Sequence, residues 1–287
     1  MKQTLLSFGH GYSAQALGRL LQPQGWRVIG TTRSEDRTEA FTNAGIEPYI
    51  WPGADMTQAL DDATHLLIST APTDDGDPVL AEMRDEIAKR AGQFSWVGYL
   101  STTGVYGDHQ GGWVDETTPL TPSTKRGIAR MKAEAEWSAI DGLPLHIFRL
   151  AGIYGPGRGP FAKVRNGTAR RIIKQGQVFS RTHVDDIARV LAASIQQPNA
   201  GAIYNVCDND PAPPEDVIAY AAELLGMPIP TAEDFATADM TPMARSFYAE
   251  SKKVSNERIK TELGVDLLYP DYRTGLNALF AAEMSDG

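Results

Sequence analysis

Near its start the chain reads Phe8-Gly9-His10-Gly11-Tyr12-Ser13-Ala14, a G-x-G-x-x-A spacing between an apolar run, Thr4–Phe8, and a helical pattern, Tyr12–Leu21. This spacing suits the gripping of a diphosphate. Gly9 permits a tight turn, Gly11 lets the backbone approach the phosphates, and Ala14 is small enough for the helix to sit against a sheet. Amides of the opening helical turn, at Tyr12 and Ser13, then meet the charge with the helix dipole behind them. A lone glycine turn would carry little weight; a strand before it and a helix after it point to a dinucleotide. His10, inside the loop, reads as a packing or cofactor contact facing the diphosphate.

The second strand pattern ends Gly30-Thr31-Thr32-Arg33. Roughly 20 residues past such a loop, an NAD site places an acid on the ribose hydroxyls. Here stand Thr31, Thr32 and Arg33, two hydroxyls and a guanidinium that instead suit a 2′-phosphate, which favours NADP. Glu35 and Asp36 just beyond keep NAD open, and a plain exposed arginine is the rival reading of Arg33. Thr70-Ala71-Pro72 follows a further strand pattern, and its backbone is expected to line the adenine-ribose side, because ligands sit at the carboxyl ends of parallel strands.

The elements that must position these residues alternate. Strand patterns fall at Thr4–Phe8, Arg27–Thr31, Glu47–Trp51, Thr64–Thr70, Trp96–Ser101 and Leu145–Leu150. Helical patterns fall at Tyr12–Leu21, from Ser34 to Gly45, at Pro78–Gln93 and at Gly127–Ile140. Such alternation predicts βαβ units and an α/β fold with a doubly wound parallel sheet. Later signals are sparser: a loop over Ala151–Phe161, a helix over Asp185–Ile195, a strand over Ala202–Val206, a helix over Glu215–Leu225, a loop over Pro228–Thr241, and a helix over Lys253–Leu263 stopped by Gly264. Residues 1–160, with 180–206, are expected to form the dinucleotide-binding core. Residues 161–287 are expected to form mostly a small substrate or cap subdomain, interleaved with it.

Composition narrows the partners. The 27 Lys and Arg against 36 Asp and Glu leave a net charge of −9. That field repels nucleic acid and anionic lipid, so any bound phosphate must be held by local amides or a few arginines. The single Cys207 excludes an intrachain disulfide, and the five histidines form no HxxxH pair, so no metal site is expected. No run approaches the roughly 20 apolar residues that span a bilayer. The opening apolar stretch is too short for a signal-peptide core, so a cytoplasmic location and a small-molecule substrate are expected.

Several later segments resemble one family. Leu100-Ser101-Thr102-Thr103-Gly104-Val105-Tyr106-Gly107 resembles the SSxxVYG segment of extended short-chain dehydrogenases/reductases, the nucleotide-sugar epimerase/dehydratase group. Phe148 to Arg158, with Tyr154-Gly155-Pro156-Gly157-Arg158 at its end, resembles that group's RxxxxYGPGR. His183-Val184-Asp185-Asp186-Ile187-Ala188 resembles its HVDDxA, and Tyr204-Asn205-Val206 its YNV. The resemblance implies a Rossmann sheet with a small C-terminal substrate subdomain and a nicotinamide cofactor. It also implies hydride transfer at a carbon bearing oxygen in a small or nucleotide-linked molecule. Family members carry this chemistry on a Ser or Thr that orients the substrate oxygen, a Tyr that moves the proton, and a Lys that lowers its pKa and binds ribose.

Carried over, the hydroxyl position falls on Thr102, with Ser101 on the cofactor side and Thr103 on the substrate side. Tyr154 and Arg158 fall on the substrate loop. The family's Tyr-x-x-x-Lys falls on Arg126 and Arg130. No register repairs this, because no Tyr lies between Tyr106 and Tyr154. Arginine stays protonated to a pKa above about 12 and cannot hand over a proton at neutral pH. The resemblance is therefore to an atypical subset, with Arg126 and Arg130 supplying positive charge. The alternative is a non-catalytic protein that binds or senses NADP(H). Tyr106 and His109 are the substitute proton carriers to weigh; packing and a surface position are their plainer readings. In relatives, helices such as Pro78–Gln93 and Gly127–Ile140 pair between subunits, which leaves a homodimer open.

Overall fold

The computed structural model describes residues 3–285. Every residue of Thr4–Phe8 is buried, as a strand covered on both faces requires. It is β1. With β2 (Arg27–Thr32), β3 (Glu47–Ile50), β4 (His65–Ile68), β5 (Trp96–Thr102), β6 (Leu145–Leu150) and β7 (Ile203–Val206) it builds one sheet, ordered β7-β6-β5-β4-β1-β2-β3. All pairs are parallel. Helices α1 (Tyr12–Leu21), α2 (Thr38–Asn43), α3 (Thr57–Asp62), α4 (Pro78–Lys89), α5 (Lys125–Ser138) and α6 (Val184–Gln196) form the crossovers. One core cluster holds Leu17 of α1 and Leu191 of α6; a second holds Leu60, Ile87 and Trp137 of α3, α4 and α5. The sheet is thus wound on both faces. Strand order reverses between β1 and β4, opening a crevice at their carboxyl ends.

Several local expectations give way. β4 stops at Ile68, so Ser69–Pro72 is free to line the crevice. The helix expected from Ser34 is a 3₁₀ turn, Glu35–Arg37, followed by α2, and the Ser34 side chain caps neither. The expected loop over Ala151–Phe161 contains a strand, Gly152–Tyr154, paired with Arg181–His183. The helix expected over Lys253–Leu263 shrinks to Glu257–Thr261, because Lys253–Val254 pairs as a strand with Trp113–Val114. Backbone pairing to a distant partner overrides helical spacing there.

Beyond the sheet, α7 (Pro214–Leu224) and α8 (Tyr272–Ser285) share a third apolar cluster with Tyr154 and Phe161. Strands Arg171–Ile173 and Ala232–Asp234 pair beside it. Among the described residues no helix is long and apolar enough to cross a membrane, and no group of His, Cys, Asp or Glu could hold a metal ion.

Candidate functional site

Gly9 turns the chain out of β1 with φ +74°, where L side chains are strained. A Cβ on it would lie 2.8 Å from Thr70 Cγ2, so this glycine also brings the ends of β1 and β4 together. The turn is tied to β2: Gly9 N donates to Thr31 Oγ1 at 2.8 Å, and His10 N to the Thr31 carbonyl at 2.9 Å. Gly11 caps α1 with extended backbone and no side-chain cap. A Cβ there would meet only the Gly9 carbonyl, at 3.7 Å. Among the described residues the first-turn amides of Tyr12 and Ser13 meet no acceptor, which makes them a ready anion site. Beside them Thr70 Oγ1 is buried without a hydrogen-bond partner. This cradle and its orphaned hydroxyl fit a dinucleotide diphosphate.

His10 does not face that cradle, contrary to expectation. Its ring is 1% exposed, turned inward, and meets Phe41 edge-on at 5.3 Å. A Cβ on Gly30 would sit 2.8 Å from His10 Cγ, and one on Gly18 3.4 Å from its Cε1. The histidine is a wedge between α1 and β2, and the two glycines make room for it. Burial, with Arg37 and Arg19 nearby, pushes its pKa down to about 4. Thr32 is buried, its hydroxyl against the Ser34 backbone, while Arg33 is exposed. Arg37, unnoticed in the sequence, is also exposed and lies 5.1 Å from the Phe41 ring centre. Its four-residue offset from Arg33 was the available signal.

At the end of β5 the side chains part ways. Thr102 Oγ1 accepts from Gly104 N at 3.1 Å, capping the turn Thr103–Tyr106, and its own proton remains free. Ser101, expected at the cofactor, is 4% exposed and donates to Glu134 Oε1 at 2.5 Å. Glu134 in turn binds Arg149 Nη2 at 2.8 Å, Arg149 Nη1 donates to the Tyr106 hydroxyl at 3.0 Å, and that hydroxyl donates to Asn205 Oδ1 at 2.7 Å. Ser101 thus serves a buried network joining β5, α5, β6 and β7. Burial pushes the Tyr106 phenol up to about 12, which removes it as a proton carrier.

The two arginines of α5 also differ. Arg130 Nη1 donates to the Leu100 carbonyl at 2.6 Å and to the Tyr99 hydroxyl at 3.0 Å, pinning α5 to β5. Arg126 is exposed, its guanidinium 5.6 Å from the centre of the Phe247 ring. A Cβ on Gly127 would lie 2.7 Å from the Gly104 carbonyl, so the start of α5 is pressed against the Thr102 turn. Arg126 and Thr102 therefore belong to one neighbourhood. His109 is held by the Tyr106 carbonyl (3.1 Å), and its amide by the Ser251 carbonyl. A buried pair that no sequence spacing marked closes this side. Lys252 Nζ donates to the Gly107 carbonyl at 2.6 Å and to Glu250 Oε2 at 2.9 Å, and Ser123 Oγ donates to Glu250 Oε1 at 2.8 Å.

The expected substrate loop is also rearranged. Tyr154 points away from the crevice into the third cluster, where a Cβ on Gly275 would lie 2.0 Å from its hydroxyl. Arg158 lies over Tyr12, 5.8 Å from the ring centre, at the start of α1. His183 caps α6, its Nδ1 accepting from Asp185 N at 3.2 Å.

Comparison with known proteins agrees with this layout. Residues 83–207 match the model of the NAD dependent epimerase/dehydratase family. Protein YeeZ of Escherichia coli K12 is 30% identical over 277 residues, covering 92% of this chain and 95% of its own. A 3-diazoavenalumate denitrifying reductase from a Streptomyces species is 28% identical over 177 residues, 57% of this chain and 55% of its own. The structure of a functionally unknown conserved protein from Silicibacter pomeroyi DSS is 65% identical, with a TM-score of 0.94 over 98% of this chain and 99% of that one. Sequence, fold and relatives converge, and the chain belongs to the NAD-dependent epimerase/dehydratase family.

Proposed function

We propose that the protein is an NADP-dependent oxidoreductase of small polar molecules in which no side chain plays the family's proton-transferring tyrosine. The carrying observation is the open amide cradle at the start of α1, with Gly9 packed onto Thr70. Bound there, a nicotinamide cofactor supplies or accepts a hydride at a carbon bearing oxygen. The amides of Tyr12 and Ser13 hold the diphosphate, and Thr70 Oγ1 is the hydroxyl within the crevice still wanting a partner. Arg33 and Arg37 face solvent beyond β2 and suit a 2′-phosphate. Thr102 keeps a free proton to donate in a hydrogen bond to a substrate oxygen. Arg126 offers fixed positive charge to the negative charge that develops there. Water then supplies the proton that no residue carries. The Streptomyces relative, named a reductase, supports the reductive direction.

One observation favours a second reading. Arg130 is committed to Leu100 and Tyr99 rather than left free for a ribose, as a protein that only binds or senses NADP(H) would tolerate. Titration separates these readings. NADPH is expected to bind at least about tenfold more tightly than NADH, as a lost phosphate–arginine pair implies, with the difference reduced in Arg33→Ala and erased in Arg33→Ala with Arg37→Ala. Equal affinities in the unaltered protein would overturn the NADP preference. Turnover of any member of a panel of aldehydes, ketones and sugar nucleotides, abolished by Thr102→Ala, supports the enzyme. Tight binding with no turnover supports the sensor.

A further inference from the structure

The turn Gly155–Arg158 follows the short strand Gly152–Tyr154, far in sequence from the glycine loop, yet it is built onto the first residue of α1. It closes on itself through Gly155 N to the Arg158 carbonyl and Arg158 N to the Gly155 carbonyl, both 2.9 Å. The Tyr12 hydroxyl donates to the Pro156 carbonyl at 2.9 Å. Gly155 adopts φ +150°, and a Cβ on it would lie 2.6 Å from that hydroxyl and 2.8 Å from Val184 Cγ1. The turn can come this close only because residue 155 has no side chain. Its effect is to place the Arg158 guanidinium over the Tyr12 ring, exposed to solvent and in no ion pair among the described residues.

The electrostatics of the cradle call for such a cation. The diphosphate of a dinucleotide carries two charges, and the amides of α1 offer only dipoles. No lysine or arginine lies in the loop Gly9–Ser13, and the chain as a whole carries −9. A planar guanidinium, weakly hydrated and able to bond two oxygens at once, is the group suited to supply the missing charge. Stacking on Tyr12 keeps it near the cradle without neutralising it.

We propose that Arg158 closes over the diphosphate of the bound dinucleotide, and that Tyr12 is the positioning residue that holds its turn and guanidinium beside the cradle. This rests on the reading above that the cradle takes a pyridine dinucleotide. It moves Arg158 from the substrate to the cofactor and makes the Gly155–Arg158 turn a second wall of the cofactor site.

The test measures NADPH affinity by quenching of protein fluorescence, alongside displacement of NADPH by adenosine 2′-phosphate, which lacks the diphosphate. Arg158→Ala is expected to weaken NADPH about tenfold, the scale of one charge-assisted contact, and to leave adenosine 2′-phosphate unchanged. Arg158→Lys keeps a cation and is expected to recover part of the loss. Tyr12→Phe keeps the ring but frees the turn, and is expected to fall between Arg158→Ala and the unaltered protein. NADPH affinity unchanged in Arg158→Ala would overturn the proposal, and so would an equal loss for both ligands, which would mean the cradle itself had collapsed. If the unaltered protein takes up no dinucleotide, the functional reading has failed instead, and the two failures are distinct.

Discussion

The two sides of the crevice are made differently. On the β1–β2 side the ligand surface is backbone: a glycine forced into positive φ, a second glycine leaving its outer face open, and amides at a helix start. Thr31 from β2 and His10 from below hold that backbone in place. On the β5–α5 side the surface is side chains, and most of them are already engaged. Ser101, Glu134, Arg149, Tyr106 and Asn205 bond to one another, and Arg130 bonds to β5. Thr102 keeps a free hydroxyl proton, and Arg126 is exposed beside Phe247 with no ion pair among the described residues. A site made of backbone keeps its chemistry while its sequence drifts. A site made of side chains loses or changes its chemistry with each substitution. On the first side the proposed cradle is built of main chain; on the second, Arg126 and Arg130 stand where the resemblance would place a tyrosine and a lysine.

If that contrast is right, damage to the second side should appear as lost stability. Glu134→Ala leaves the Arg149 guanidinium buried and uncompensated, and is expected to cost about 3–5 kcal/mol in denaturant unfolding. A loss below about 1 kcal/mol would mean the network is incidental.

Acid probes the underside of the first region. His10 and His65 are buried and each is pushed down to about 4 from 6.5, desolvation being the main cause. As pH falls from about 6.5 to 4 the unfolded chain takes up protons that the folded rings refuse, so each withdraws on the order of 3 kcal/mol of stability. Asp208, pushed up to about 8 by burial, works the other way: its share of stability is present in acid and is lost as pH rises from about 4 to 8. Imidazole NMR isolates the histidines. A midpoint near 6.5 for His10 would show that its ring reaches water and that the packed base of the loop is misassigned.

The smallest expected effect is on the loop itself. Gly9→Ala adds strain at positive φ worth about 1–3 kcal/mol, and a methyl group against Thr70. Dinucleotide affinity should fall about tenfold to hundredfold, with global stability lowered by no more than that strain. Full affinity in this variant would break the claim that backbone geometry makes the cradle.

The same contrast explains what could be read from the chain alone. The glycine loop, α1, β1 and β6 were legible to the residue or nearly so, because a G-x-G spacing and continuous apolar runs encode local geometry. Side-chain direction was not. His10 lies inside the loop yet points beneath it, and Tyr154 lies in a family motif yet packs on α8. Neither fact depends on anything within a few residues of either. The misread helix at Lys253–Leu263 has the same origin: Ile259 and Leu263 lie four apart, as on one helix face, but Val254 answers to Val114, some 140 residues earlier. Two-residue strands carry no periodicity of their own. The substitution of Arg126 and Arg130 was plain in the sequence; the division of labour between them needed their neighbours.

That late pairing governs how the molecule can be made. Val105, Tyr106, Val114, Ala151, Cys207 and Val254 form one apolar cluster, and Cys207 Sγ rests on the Val254 carbonyl at 3.2 Å. A nascent chain that has just completed its seventh strand still exposes the underside of its own threonine turn, since the residues that cover it are nearly fifty positions from being synthesised. A fragment cut after Val206 would lack Cys207 and Val254, and with them two of the six side chains that form the cluster under the Thr103–Tyr106 turn.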